Sequence, residues 1–353
     1  MPHVSKMMVA SSIALAIGLS GCVGTTVASI GPPTPTPTPT PTPSAATVGA
    51  PALADVQNGN VFPIATTGGP TIALHDATTF PLLESVMTIN PAGAVADSAT
   101  INAGATLTSS YGPDDYQGGG GASYTIDIDN PAIGISDQVF NSRNSGSGFS
   151  YSAAAGDKTV TMAIKDPSNS NLSWTTYGTW AVHVDVGTPS TTTAAFVTGY
   201  KTPTASVPAT GYATYNGSVV GQVIYPKAGA ENGVGLADLT GSATLQANFA
   251  SGGVTGELTG MMAGSAPWNS VTLAGSIAGG QNSFSGTSAA TSAPNNSTAL
   301  SGSATGTFAG MFFGPTAQEL GAVWTLSDGT ASAIGSIGAT NSGCVNSTPW
   351  DYC

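Results

Sequence analysis

The chain has 353 residues, of which 41% are apolar, 7% are charged and 47 are glycine. So few charged residues leave helices without most of their favoured surface side chains, which argues against a helical protein and favours an all-β one. With 18 acidic and 6 basic residues the formal net charge is −12, which disfavours binding to nucleic acid or to an anionic membrane surface.

The first residues have the features of a bacterial lipoprotein leader. The apolar run Met7–Leu19 is too short to span a membrane and suits a secretory signal. A Leu-Ser-Gly-Cys lipobox follows at once and ends at Cys22. We predict a signal peptide over 1–21 and membrane attachment through acyl chains, palmitate among them, on Cys22, because several chains bind a bilayer far more firmly than one. A soluble secreted protein with an incidental cysteine is the alternative.

Residues 22–60 are predicted to be the lipidated cysteine and a spacer. Pro33–Pro43 alternates threonine with proline, which favours extended polyproline II. At about 3.1 Å per residue this tether could hold a folded domain on the order of 30 Å from the bilayer. Residue 23 is Val rather than Asp, so an inner-membrane retention signal is missing. The outer membrane of a Gram-negative bacterium is therefore the expected location.

Residues 61–209 are predicted to form a smaller β-rich domain. Ser123–Asp129, Lys158–Ile164 and Trp180–Val186 each alternate apolar with polar residues, and turns rich in Gly, Asn and Ser separate them. This alternation is typical of half-buried strands.

Side chains suited to catalysis or metal binding are scarce. His75 and His183 lie in no zinc-protease or triad pattern, and His183 falls on the polar face of its strand, which favours a solvated position over a haem or metal ligand. We predict no catalytic residue, no metal and no cofactor, and a secreted hydrolase is a remote alternative. Two carboxylate pairs could hold calcium, but no calcium-binding loop surrounds Asp114 and Asp115 or Asp127 and Asp129.

Residues 210–341 are predicted to form an eight-stranded antiparallel barrel. In Leu239–Phe249 every odd position is apolar or Gly and every even position is polar, as in a half-buried antiparallel strand. Glycine recurs between large inward residues, which fits the interior of a small closed barrel. An open sandwich is the alternative, because alternation determines strands and not closure. The pattern recurs in Val254–Met262, Val271–Ile277, Phe284–Gly286 and Leu300–Phe308.

The segment 306–326 has the pattern of strand, tight turn and strand. Its aromatic residues Phe308, Phe312 and Trp324 are predicted to point into the barrel. Thr307 and Thr325, one residue out of phase, are predicted to face outward and to tolerate substitution.

The order of residues in this hairpin resembles the closing hairpin of the β-barrel lobe in transferrin-binding protein B and its relatives. Phe313 stands where the family has Tyr, and Ala322 stands where it has a second Gly. Val207–Ser218 is similar to the family's first barrel strand. The motif positions are Gly310, Phe312, Phe313, Gly314, Pro315, Glu319, Leu320, Gly321, Gly338 and Ala339.

The resemblance implies a handle-like domain followed by one barrel, the layout of single-lobe relatives such as factor H binding protein and the haem- or haemoglobin-binding lipoproteins. It implies a surface lipoprotein that binds an extracellular protein or haem ligand through its loops, in iron or solute acquisition, with an outer-membrane translocator or receptor as a further partner. A structural, adhesin or immune-evasion protein of the outer membrane is the alternative.

The tail 342–353 contains Cys344 and Cys353, the only cysteines besides Cys22. Because an exported protein matures in an oxidising compartment, we predict that these two form a local disulfide.

Overall fold

The computed structural model describes residues 78–89, 95–102, 104–113, 122–131, 135–141, 150–155, 158–165, 170–184, 190–230 and 233–342. Nearly all regular structure in these ranges is β-strand, which confirms the all-β prediction. No helix in the described part of the chain combines the length and the hydropathy that crossing a membrane requires. The predictions for the leader, Cys22, the spacer, His75, Asp114, Asp115, Cys344 and Cys353 fall outside the described residues.

The handle-like region, residues 78–200, contains two antiparallel sheets. One sheet has the strand order β1-β4-β5-β6 and the other the order β3-β2-β10-β9-β8-β7. The strands are β1 (Thr78–Pro81), β2 (Leu83–Ile89), β3 (Val95–Asn102), β4 (Thr106–Pro113), β5 (Ala122–Asn130), β6 (Ile135–Asn141), β7 (Ser150–Ala155), β8 (Lys158–Lys165), β9 (Thr175–Val184) and β10 (Ser190–Gly199).

The core of this region lies between its two sheets. Val160 and Met162 on β8 are buried with Trp180 on β9, and Leu107 and Ile128 of the other sheet join the same cluster. The alternation predicted for these strands therefore has its apolar side on this core, as half-buried strands require.

His183 lies on the opposite face of β9 and is exposed, as its place in the alternation predicts. Its Nδ1 lies 2.8 Å from Oγ1 of Thr191, the residue directly across the β9–β10 ladder.

The second part of the chain forms a closed barrel of eight long strands and one short one. The sheet order is β12-β11-β19-β18-β17-β16-β15-β13-β14, and an additional β12–β13 pairing closes it, so the open-sandwich alternative is wrong. The strands are β11 (Tyr212–Pro226), β12 (Val234–Asn248), β13 (Gly253–Ala263), β14 (Ala266–Pro267), β15 (Val271–Ile277), β16 (Phe284–Ala290), β17 (Thr305–Phe313), β18 (Glu319–Ser327) and β19 (Ser332–Asn341).

Side chains fill the barrel interior. The ring centroids of Phe284 and Phe312 are 5.3 Å apart, and those of Trp268 and Trp324 are 6.0 Å apart. Glycine makes room for them, because a Cβ on Gly310 or Gly335 would overlap the ring of Phe284 or Trp324. The interior is thus a packed core, as small barrels have.

The predicted strand Leu300–Phe308 begins later than the sequence pattern suggests, at Thr305. Residues 291–304 form a loop that closes one end of the barrel. Asn269 holds it there, since its Nδ2 donates to the carbonyl of Leu300 at 2.8 Å and its Oδ1 accepts from the Leu300 amide at 2.8 Å. Leu300 belongs to this loop rather than to a strand, and its side chain is buried in the barrel core.

Strands β18 and β19 are buried on both faces. One face joins the barrel core and the other packs against the handle-like region. Thr325 is consequently only 4% exposed, so it is not the tolerant surface position that the alternation predicted. Its hydroxyl accepts a hydrogen bond from the Thr307 amide at 3.0 Å, whereas the Thr307 side chain is exposed.

Candidate functional site: the junction of handle and barrel

The handle-like region and the barrel share a continuous apolar interface. Because the outer faces of β11, β18 and β19 carry apolar residues and glycines, they can be buried rather than solvated. One cluster joins Phe80, Leu172, Trp174, Tyr177, Val197 and Tyr200 of the handle side to Phe313 and Val323 of the barrel. A second joins Met87, Ile89 and Ala195 to Ile224 and Ile334.

Two motif glycines allow this close packing. A Cβ on Gly338 would overlap the ring of Tyr177, and a Cβ on Gly321 would overlap the side chain of Val197. The Tyr177 hydroxyl continues past Gly338 to lie 2.5 Å from Oγ of Ser218 on β11. Glycine is therefore required on the outer barrel face where handle side chains cross it.

The turn after β17 attaches the linker between the two regions. Gly314 has a φ of +85°, a left-handed conformation that glycine adopts without strain, and its amide donates to the carbonyl of Tyr200 at 2.9 Å. Thr202 donates its hydroxyl to the Gly314 carbonyl at 2.7 Å. Asn282 donates to the carbonyls of Thr202 and Phe312 at 2.6 and 2.9 Å. The linker is thereby fixed to the end of the barrel.

Glu319 is a buried carboxyl group at this junction. It is 3% exposed, and its two carboxylate oxygens accept hydrogen bonds from the backbone amides of Ser173 at 2.5 Å and Trp174 at 2.9 Å. Burial raises the pKa of Glu319 to about 7, and the amide donors, which favour the charged form, limit that rise. Glu319 thus joins the start of β18 to the segment before β9.

A second buried carboxylate joins the two sheets within the handle. Glu84 on β2 accepts from the indole N–H of Trp180 at 2.7 Å and from the side-chain amide of Asn130 at 2.8 Å. Burial raises the pKa of Glu84 to about 7, and the hydrogen bond from Trp180 acts in the opposite direction. Both buried carboxylates therefore connect structural layers, and neither is placed for acid–base chemistry on a substrate.

The structure separates the predicted motif residues by the side on which they lie. The sequence pattern did not indicate Ser173, Trp174 or Tyr177 as partners of the motif residues. Ser173 and Trp174, for example, lie 146 and 145 positions before Glu319 in the sequence. Gly310, Phe312, Leu320 and Ala339 belong to the inward face of the barrel; Gly314 and Pro315 form the turn; Phe313, Glu319, Gly321 and Gly338 belong to the outer face covered by the handle.

An open cleft of about 470 Å³ lies beside the contact of Tyr177 with Gly338. Its floor is the outer face of β11 and β19, and its walls come from the end of β8 and the segment before β9. The described lining is mainly polar and includes the cation Lys165; its residues are Lys165, Ser170, Asn171, Leu172, Tyr177, Asn216, Gly217, Ser218, Gly338 and Thr340.

No group of three or more His, Cys, Asp or Glu side chains suited to a metal ion occurs among the residues that the structure describes. Asp129, one of the carboxylates considered for calcium, is exposed on β5.

Comparison with known families gives a match for the barrel. Residues 207–341 match the family model of the C-lobe and N-lobe β-barrels of Tf-binding protein B. The matched segment includes every barrel strand and ends with the last residue of β19. A search of curated proteins gives no match.

Several solved structures are similar at low sequence identity. Intact Ap-TbpB, with N and C lobes, is 14% identical with a TM-score of 0.41, over 76% of this chain and 77% of that chain. HpuA from Kingella denitrificans, solved with human haemoglobin, is 17% identical with a TM-score of 0.40, over 83% and 99%. Isotype 1 TbpB from serogroup B Neisseria meningitidis is 12% identical with a TM-score of 0.37, over 76% and 77%. The family match covers residues 207–341, which is less than half of the chain.

Proposed function

We propose that this chain is an outer-membrane surface lipoprotein that binds an extracellular protein or haem ligand in iron or solute acquisition, because residues 207–341 match the family model of the Tf-binding protein B β-barrels. The family match is the observation that carries the proposal. The packing of the handle-like region on this barrel supports it, because binding loops are most effective on a rigid scaffold. No catalytic role is proposed.

The loops of the handle and the barrel are the proposed binding surface. Aromatic side chains such as Phe284 and Trp324 occupy the barrel interior, which leaves the outer surfaces for a ligand. The formal net charge of −12 favours a basic partner or a basic patch on one.

Attachment to the membrane is assigned to acylated Cys22. In this arrangement the leader 1–21 is removed and the rest of 22–60 serves as the tether. The ligand-binding part then consists of the handle-like domain, 61–209, and the barrel, 210–341. An outer-membrane translocator or receptor is the expected second partner.

Affinity capture tests the proposal. A chain that begins at residue 45 is immobilised and exposed separately to transferrin, haemoglobin and haemin, and then to whole serum. We expect one ligand to be retained with a Kd of about 1 μM or tighter. Retention of haemin would give an absorbance band. Adhesion to host cells without retention of any soluble iron carrier would instead support the adhesin alternative.

A further inference from the structure

The cleft between handle and barrel differs from the rest of the molecule in its charge. The chain has 18 acidic residues and only 6 basic ones, yet among the residues that the structure describes Lys165 lines this cleft and no carboxylate does. Within the described ranges Lys165 forms no ion pair. The cleft is therefore a locally cationic site on an acidic protein, which favours an anionic group.

The floor of the cleft is an ordered set of polar groups. Asn216 lies opposite Thr340, and Ser218 lies opposite Gly338, in the β11–β19 ladder. The Asn216 amide donates to Oγ of Ser342 at 2.7 Å and its oxygen accepts from Thr244 at 3.0 Å, which fixes its orientation. An amide nitrogen can donate two hydrogen bonds and an amide oxygen can accept two. Asn216 therefore has one further donor and one further acceptor position for a ligand.

One wall of the cleft adds apolar side chains and the hydroxyl of Tyr177. Leu172 and the ring of Tyr177 stand over Gly338, and the Tyr177 hydroxyl holds Ser218 in place. A volume of about 470 Å³ is within the range of small-molecule sites, roughly 300–1,000 Å³. A cleft of this volume with a mainly polar lining suits a compact polar ligand.

We propose that this cleft binds a small carboxylate that also carries several hydroxyl groups, the chemical class of the acidic monosaccharides. In this arrangement Lys165 pairs with the carboxylate, while Asn216, Thr340 and Asn171 form hydrogen bonds with hydroxyl groups. The C–H face of the sugar packs on Leu172. This binding is additional to the proposed capture of an extracellular ligand by loops and does not depend on it.

Titration of the purified full chain in detergent tests the proposal, with glucuronate and N-acetylneuraminate as probes and glucose as the uncharged comparison. Calorimetry and ligand-observed NMR give the dissociation constants. We expect at least one acidic sugar to bind with a millimolar or tighter Kd, and glucose to bind about tenfold more weakly. Raising the salt concentration should weaken only the acidic sugar.

Two variants locate the site. Lys165→Gln should weaken the acidic sugar about tenfold and leave glucose unchanged, whereas Lys227→Gln, at the exposed β11–β12 hairpin, should change neither. Thr340→Val keeps the side-chain shape and should weaken both sugars. The proposal is overturned if no acidic sugar binds at about 10 mM, or if Lys165→Gln and Lys227→Gln behave alike.

Discussion

Glu319 shows how one residue can hold together parts of the chain that lie far apart in sequence. Its partner amides belong to residues 145 and 146 positions earlier. The motif identified the glutamate, but the order Gln-Glu-Leu after a turn gives no sign that the side chain is buried. Burial depends on the handle covering β18, which is a long-range contact that local alternation cannot encode.

The pH dependence of stability should reflect Glu319 and Glu84. The pKa of each is raised from 4.5 to about 7, so between these values the folded chain binds more protons than the unfolded chain. The free energy of unfolding contributed by these groups is therefore highest below pH 4.5 and is lost as pH rises towards 7. We expect a loss on the order of 3 kcal/mol per group at most, measured by denaturant unfolding at pH 5 and pH 8.

A substitution pair isolates the contribution of Glu319. Glu319→Gln cannot titrate, so its decrease in stability between pH 5 and pH 8 should be shallower than that of the wild type. Glu257→Gln, on the exposed wall of the barrel, removes one charge without touching the junction and should keep the wild-type slope. Equal slopes for all three proteins would contradict the role of burial.

The aromatic residues of β17 and β18 give a prediction about register. Phe308, Phe312 and Trp324 are 0–1% exposed and face the barrel interior, so replacing any one with alanine should cost about 3–5 kcal/mol. Thr307, whose side chain is exposed, should cost about 0.5 kcal/mol or less. Urea midpoints measure these differences. A large loss of stability at Thr307 with none at Phe308 would mean that Thr307, and not Phe308, points into the barrel.

Thr325 belongs with the buried group in that experiment. Its hydroxyl lies 3.0 Å from the Thr307 amide, so truncation leaves that amide without this partner. We expect Thr325→Ala to cost about 1–2 kcal/mol, between the surface and core substitutions.

At the scale of elements, β12 and β18 differ in how well the sequence predicts them. β12 alternates buried and exposed residues along Leu239–Asn248, because only its inner face is covered, and the sequence pattern shows this directly. β18 is buried on both faces, and its Gly-Ala-Val run carries no polar residues that would indicate an outer face. The barrel could therefore be predicted from alternation, while the docking of the handle could not.

The junction of β9 with β19 gives a test of this docking. Gly338→Ala places a Cβ against the Tyr177 ring and should cost about 1–3 kcal/mol, because the backbone of β19 cannot move away. Gly302→Ala, where a Cβ meets only Ala293 at 3.7 Å, is the matched control and should be nearly neutral. Thermal unfolding compares the two.

A double-mutant cycle assigns the loss to the ring. If Tyr177 causes the clash, Gly338→Ala should cost less in a Tyr177→Ala background than in the wild type, and the difference is the coupling energy. Additive losses would mean that Gly338 is required for another reason.

At the scale of the whole molecule, membrane attachment is predicted to depend on one residue. Cys22→Ser should release the protein from membranes, because the acyl chains on this cysteine supply the proposed anchor. Fractionation after a salt wash measures the release, with Cys344→Ser as the control that stays attached. A Cys22→Ser protein that remains in the outer-membrane fraction would contradict the lipoprotein assignment.

The proposed tail disulfide is tested by mass. A Cys344–Cys353 bond closes a short loop and should add about 2–3 kcal/mol of local stability with little effect on the barrel. Intact-mass measurement with and without reductant should differ by two hydrogens. Two free thiols, or a covalent dimer, would be the contrary result.

The pairing of β11 with β19 places the first and last long strands of the barrel side by side, with Tyr215 opposite Asn341. The ribosome makes these strands more than a hundred residues apart, which at about 5–20 residues per second takes on the order of 10 s. Until β19 arrives, β11 has an unpaired edge, and the handle has no complete surface on which to dock. Such non-local pairing makes folding slow, so β11 should keep an unpaired edge until β19 is also available to pair with it.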